Sequence, residues 1–230
     1  MKTKKVDKFL TKLLKIDCYF IKSKKEINDF NKKKGNFLLV LKISKSLNSK
    51  DCKNFYIRMK SKLITFKRKN TENKKLDYDC RFAKKKDFIN ITQICRQNPY
   101  GSRFEKDPLI EKKFLKTYRS IWLKNFYKKK RGDFLIVAYK NNILLGFILL
   151  IKELKNLRID QILVNNNFKR KGVAKTLINF TSNLFQNKFK SLVAGTYDHN
   201  LSAKKMYKKM NFKREKIIKN IYHLYPKNYN

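Results

Sequence analysis

The chain alternates between short apolar runs and lysine-rich polar stretches, and the period of the apolar positions changes from segment to segment. Val6, Phe9, Leu10, Leu13 and Leu14 recur at helical spacing and predict a short amphipathic helix. Residues 36–43 (NFLLVLKI) read as a buried strand, and residues 55–66 contain a second, roughly alternating one. Between them, residues 44–53 are a polar connection. Residues 67–75 are charged and carry no apolar side chain, which marks a linker or an exposed turn. This pattern predicts a small α/β domain over 1–74, a boundary near Lys74 and a second domain over 75–230.

Beyond that boundary the pattern is more regular. Residues 78–83 read as a strand, and a helix starting near Asp87 carries Ile91, Ile94 and Cys95. Pro108, a residue suited to a first helical turn, opens a second helix in which Phe114, Tyr118, Ile121, Trp122 and Phe126 recur. Residues 134–139 and 143–152 predict a hairpin around Lys140-Asn141-Asn142. Then come a strand over 157–164, a helix over 175–186, a strand over 191–197, a helix after Asn200, and two strands over 212–216 and 221–225. The class is α/β (α+β).

Two segments in this order carry chemistry. Lys169-Arg170-Lys171-Gly172-Val173-Ala174 joins a strand to a helix, and the first amides of a helix have no partner in their own ladder. Gly172 lets backbone approach a ligand closely, Ala174 is small, and Lys175 adds to the positive charge. Free amides, helix dipole and cations together suit a pyrophosphate. In the second segment Asn200 is a favoured helix cap, Ala203 and Tyr207 share a helix face, and Asn211 tolerates the left-handed backbone that ends a helix.

The pair of segments resembles the GNAT superfamily of N-acetyltransferases, whose loop reads Gln/Arg-x-x-Gly-x-Gly/Ala and whose later helix reads Asn-x-x-Ala-x-x-x-Tyr-x-x-x-Gly-Phe. Gly172 and Ala174 match the first; Asn200, Ala203, Tyr207 and Phe212 match the second. Lys169 replaces the usual Gln or Arg, and Asn211 the usual Gly. Within the superfamily, Tyr100-Gly101-Ser102-Arg103-Phe104-Glu105-Lys106-Asp107-Pro108, Trp122, the hairpin, Arg158-Ile159-Asp160 and Tyr222-His223-Leu224-Tyr225 are similar to the TDP-fucosamine acetyltransferase group. That group acetylates the 4-amine of a dTDP-linked 4-amino-4,6-dideoxy sugar.

The resemblance implies a mixed, mostly antiparallel central sheet flanked by helices, and acetyl-CoA as cosubstrate. It assigns the pantetheine arm to the backbone of Leu163 and Val164 and to Asn200. The pyrophosphate falls to Lys169, Arg170, Lys171, Gly172, Val173, Ala174 and Lys175. Tyr207 becomes the proton donor to the departing thiolate, since a phenol stays protonated at neutral pH. The general base is open: Asp160, His223 and His199 are the candidates. Arg103 is placed to pair with a diphosphate and His223 to meet the acceptor sugar.

Composition changes the picture in one respect. The 230 residues hold 59 Lys and Arg against 17 Asp and Glu, a formal net charge of +42. The cations are spread through every element, together with abundant Asn, as an AT-rich genome would impose on any protein. Their field still draws polyanionic ligands. Nucleic acid is therefore not the expected partner, although a basic RNA-binding protein on a non-catalytic GNAT fold is the alternative of a different class. The nearer alternative is acetylation of a protein N-terminus or lysine. Cys18, Cys52, Cys80 and Cys95 are scattered and distant from both histidines, so no metal is expected. The longest apolar stretches, 134–139 and 143–151, are too short to span a bilayer. The N-terminus lacks a signal-like apolar region. A cytoplasmic enzyme without membrane insertion, able to form a homodimer, is the resulting expectation.

Overall fold

A computed structural model describes residues 6–70 and 75–229. The boundary expected at Lys74 lies outside the described residues. The sequence-predicted strands, with one further short strand, pair into a single sheet. Its strands are β1 (Asp17–Ile21), β2 (Phe37–Ile43), β3 (Phe55–Lys69), β4 (Asp79–Phe82), β5 (Phe134–Lys140), β6 (Ile143–Glu153), β7 (Asn156–Val164), β8 (Ser191–Tyr197), β9 (Lys213–Arg214) and β10 (Lys219–Pro226). The order across the sheet is β1-β2-β10-β3-β8-β7-β6-β5-β4, with β9 paired to β3. Among the described residues only β1–β2 and β7–β8 pair in parallel.

The first 70 residues thus supply three strands of the same sheet that holds the motifs. β3, whose 15 residues make it the longest strand, lies between β8 and β10. The closing strand over 212–216 shrinks to the two residues of β9, which pair with Phe66 and Lys67 of β3.

Among the described residues five α-helices cover the two faces: α1 (Lys8–Leu14), α2 (Phe88–Gln97), α3 (Lys112–Tyr127), α4 (Val173–Phe185) and α5 (Leu201–Lys209). Alternation along each strand divides the core between the faces. In β5, Leu135 and Val137 pack with Ile91, Ile94 and Cys95 of α2 and Leu123 of α3, while Ile136 and Ala138 pack with Leu177 and Ile178 of α4. β2 divides likewise: Leu38 and Val40 meet α1 and α3, and Leu39 and Leu41 meet Ile27 and Phe30. That two-sided burial is why residues 36–43 are apolar without a break.

α3 begins at Lys112 rather than at Pro108. The Asp107 carboxylate accepts from Leu109 N, and Ile110 N bonds to Asp107 O, so Pro108 and its neighbours form a turn before the helix. That turn fixes Asp107 beside His223 of β10.

Candidate active site

β7 and β8 pair only from Asn156 with Ser191 to Ile159 with Ala194. Beyond that they part, leaving a cleft between residues 160–164 of β7 and 195–197 of β8. Parting coincides with a bulge in β7: Leu150 faces Ile159 and Leu149 faces Gln161, so Asp160 is the extra residue. The bulge sets which backbone groups face the cleft. Asn165 N bonds to Leu145 O, and Gly146 and Val164 are the next pair. In an antiparallel ladder bonded and non-bonded pairs alternate, so Leu163 is bonded to Phe147, while Ile162 and Val164 turn their N–H and C=O groups away from β6. Leu163, expected to present its backbone to pantetheine, is thus committed to the sheet, and Ile162 shares the free edge with Val164. The Val164 carbonyl accepts from Asn98 Nδ2 at 3.0 Å.

At the end of β7 the basic loop turns into α4. Gly172 has φ +87°, and Arg170 also has positive φ. The first backbone bond of α4 runs from Thr176 N to Gly172 O, so the amides of Gly172, Val173, Ala174 and Lys175 precede the ladder. Val173 is buried in the core and anchors the turn; Lys169, Arg170, Lys171 and Lys175 are exposed. The segment before β4 closes one side of the loop. Tyr78 donates to Lys171 O at 2.7 Å, and the Asp77 carboxylate lies 3.3 Å from Lys175 Nζ. A Cβ on Gly172 would come within 3.2 Å of that carboxylate. A side chain at 172 would crowd the cradle, where four amides outside the ladder stand among four cations, a set of groups suited to a phosphate-bearing ligand.

Across the cleft, Asn200 caps α5 by accepting from Ala203 N at 3.1 Å, and its Nδ2 donates to Gly101 O at 3.2 Å. Gly101 has φ +92°, and a Cβ there would lie 2.5 Å from Asn200 Nδ2. Only glycine permits this approach, which brings residues 98–107 against the start of α5. Asn211 ends α5 with φ +60°, as its sequence position implied. Tyr207 is buried between Phe66 and Phe212, with ring centroids at 5.6 and 5.2 Å. Burial pushes its phenol above the ordinary value, so it holds its proton.

The remaining candidates separate. Both Asp160 oxygens are held by arginines: Arg131 at 2.6 and 2.8 Å, and Arg158 at 3.1 Å. With three hydrogen bonds from two guanidinium groups and its side chain only 4% exposed, Asp160 is an anchor for the bulge, sealed away from an acceptor amine. His223 is fully buried and meets no open space. Its Nδ1–H donates to Asp107 Oδ2 at 2.5 Å, and its Nε2 accepts from Arg103 Nε at 3.0 Å. Burial lowers its pKa to about 4, against the pull of Asp107, so the ring is neutral. His223 therefore holds Arg103 rather than an acceptor. Arg103 in turn donates to Tyr197 Oη at 3.2 Å, at the open end of β8.

Two residues that sequence reasoning passed over enter here. Tyr197 links Arg103 to the cleft, and Glu105 contacts His199 at 2.8 Å. Glu105 and Asp107 stand two apart in a chain poor in acids, and that concentration was the legible signal.

The model of the acetyltransferase (GNAT) family matches residues 97–212. The chain belongs to the GNAT acetyltransferase family. It is accordingly an N-acetyltransferase with the GNAT fold, and acetyl-CoA is its cosubstrate. Solved structures agree in fold. A conserved protein of unknown function from Staphylococcus epidermidis superposes with TM-score 0.62 at 13% identity, over 93% of this chain and 84% of that one. A putative GNAT acetyltransferase from Novosphingobium aromaticivorans gives 0.54 at 10% identity, over 84% and 75%. A GNAT acetyltransferase from Colwellia psychrerythraea gives 0.54 at 13%, over 89% and 72%. The first of these spans the N-terminal strands of this GNAT enzyme as well as the motif-bearing part. Comparison with curated proteins by sequence yields no match. Among the described residues of the enzyme no helix is long and apolar enough to cross a membrane, and no group of His, Cys, Asp and Glu is disposed to hold a metal ion.

Proposed function

We propose that this acetyltransferase acts on the amine of a nucleotide-linked amino sugar, a dTDP-4-amino-4,6-dideoxy sugar being the best-fitting class. The observation that carries this reading is Arg103. Its guanidinium stands at the open end of β8, oriented by neutral His223 and by Tyr197, with no carboxylate of the described residues in contact with it. A half-buried cation so held is suited to a diphosphate. Tyr100, 70% exposed two residues after Asn98, offers an aromatic face at the same rim.

In this reading the amides and cations of residues 169–175 hold the CoA pyrophosphate, and the free edge at Ile162 and Val164 pairs with the pantetheine arm. Asn200 keeps residues 98–107 closed over the cleft. Tyr207 returns a proton to the CoA sulfur as the C–S bond breaks. The test is to incubate the purified protein with acetyl-CoA and a panel of nucleotide-linked amino sugars, peptides and polyamines, and to follow CoA release. Release with a dTDP-4-amino sugar at the highest kcat/KM is expected. Turnover with peptides or polyamines alone would overturn the sugar assignment.

A further inference from the structure

An amine that attacks a thioester must first lose a proton, because an ammonium has no lone pair. We propose that His199 takes up that proton, with Glu105 as the residue that positions it. His199 sits between the end of β8 and the Asn200 cap of α5, against Ser102 and Glu105 of the segment that Asn200 holds. The neighbours of its two ring nitrogens make the argument. Nε2 lies 2.8 Å from Glu105 Oε1 and 3.1 Å from Ser102 O. Both are acceptors, so this nitrogen carries a hydrogen.

Nδ1 faces Ser61 Oγ of β3 at 3.4 Å and Asp198 Oδ1 at 3.5 Å. The single proton of Ser61 goes to Asp198 Oδ1 at 2.8 Å. Neither neighbour therefore offers Nδ1 a donor. Its lone pair is the one imidazole site with room for a proton, and once protonated it meets the Asp198 carboxylate. Asp198 stays ionised: burial opposes this, but hydrogen bonds, led by those from Ser61 Oγ and Lys62 N, hold its pKa below the ordinary value.

The rest of the surroundings keep the ring in place. Tyr197 stacks on it at 5.8 Å and 17°, and carries the Arg103 bond on its far oxygen. Glu105 is tied by its other oxygen to Gly101 N at 2.8 Å. The facing charges are thus two carboxylates near the ring and one guanidinium beyond Tyr197. His199 and Glu105 keep side-chain exposures of 14% and 17%, so neither is sealed from solvent and a proton can arrive through water. Asp160 and His223 lack this property, at 4% and 0% exposure.

The protons balance. The acceptor ammonium gives one to His199 Nδ1 and becomes a neutral amine. Its nitrogen bonds to the acetyl carbon, the C–S bond breaks, and Tyr207 protonates the thiolate. The amide nitrogen sheds its second proton to solvent, which restores Tyr207, and His199 later releases the first.

The inference rests on the acetyl-transfer reading but not on the sugar. The experiment is the pH profile of kcat/KM for wild type, His199→Gln and Glu105→Gln. It uses dTDP-4-amino-4,6-dideoxygalactose or, if that sugar is inert, a lysine peptide or spermidine, so a failed sugar assignment leaves the test intact. At neutral pH His199→Gln is expected to lose about 10²-fold and to recover as the amine deprotonates in solvent at high pH. Glu105→Gln is expected to lose about 10-fold at neutral pH and to recover in the same way. A His199→Gln loss of the same size at every pH, a Glu105→Gln loss that does not diminish at high pH, or activity of His199→Gln within twofold of wild type would each overturn the proposal.

Discussion

Arg103 Nε donates to His223 Nε2 across 3.0 Å, which requires the imidazole to keep its proton on Nδ1, where Asp107 receives it. The chain Asp107–His223–Arg103 thus orients a cation with a neutral partner, leaving the guanidinium charge for another anion. Arg103→Lys keeps the charge but loses the fork geometry. KM for the acceptor should rise by about 10-fold or more, with acetyl-CoA affinity unchanged. Steady-state kinetics and calorimetry check this; an unaltered acceptor KM would remove Arg103 from recognition.

The same histidine makes stability depend on pH. Its folded pKa of about 4 lies below the ordinary 6.5, so between these values the unfolded chain binds a proton that the folded chain does not. Stability from this group is complete above about 6.5 and falls as pH drops toward 4, by about 3 kcal/mol in all. Urea titrations of wild type and His223→Gln between pH 4 and 7 should show the variant with the shallower slope. Parallel slopes would mean that the ring is not held neutral.

Gly172→Glu should abolish acetyl-CoA binding while the protein stays folded. The new side chain would enter the cradle at positive φ, beside Asp77, and bring negative charge to the pyrophosphate. Calorimetry with circular dichroism as the folding control tests this, and an unchanged affinity would discard the loop assignment.

Asp77→Asn should do the reverse. Its carboxylate pairs with Lys175 and stands beside the amides that precede α4. Removing that charge frees Lys175 and should tighten acetyl-CoA by about threefold at low salt, the ordinary worth of an exposed ion pair. The gain should shrink as ionic strength rises. Weaker binding in the variant would place the pyrophosphate elsewhere.

Tyr207→Phe should lower the single-turnover rate by about 10²-fold with little change in acetyl-CoA affinity. The ring would keep its contacts with Phe66 and Phe212, so the loss reports on the hydroxyl. Single-turnover measurement avoids masking by slow product release. A rate within about twofold of wild type would assign the proton to water.

What the sequence determined by itself is local. The apolar periods announced most of the helices and strands, although the short β1 escaped notice and α3 starts a turn later than Pro108 suggested. Gly172 and Ala174 at the start of a helix marked the loop proposed for the pyrophosphate. Asn200, Ala203, Tyr207 and Asn211 marked a helix with its cap, inner face and end. Each depends on neighbours within about one or two turns, which is the range over which residue type dictates backbone. The tertiary structure alone decided the rest, because it turns on contacts between distant segments. Nothing local says that β3 slides between β8 and β10, since both of its edges are plain backbone that any strand can pair. Nor does residue type reveal that the bulge at Asp160 turns Ile162 and Val164, rather than Leu163, toward the cleft, because that choice is one of register. The roles of the two histidines were settled the same way: Asp107 and Arg103 fill both nitrogens of His223 from more than a hundred residues away, while His199 keeps an unfilled one.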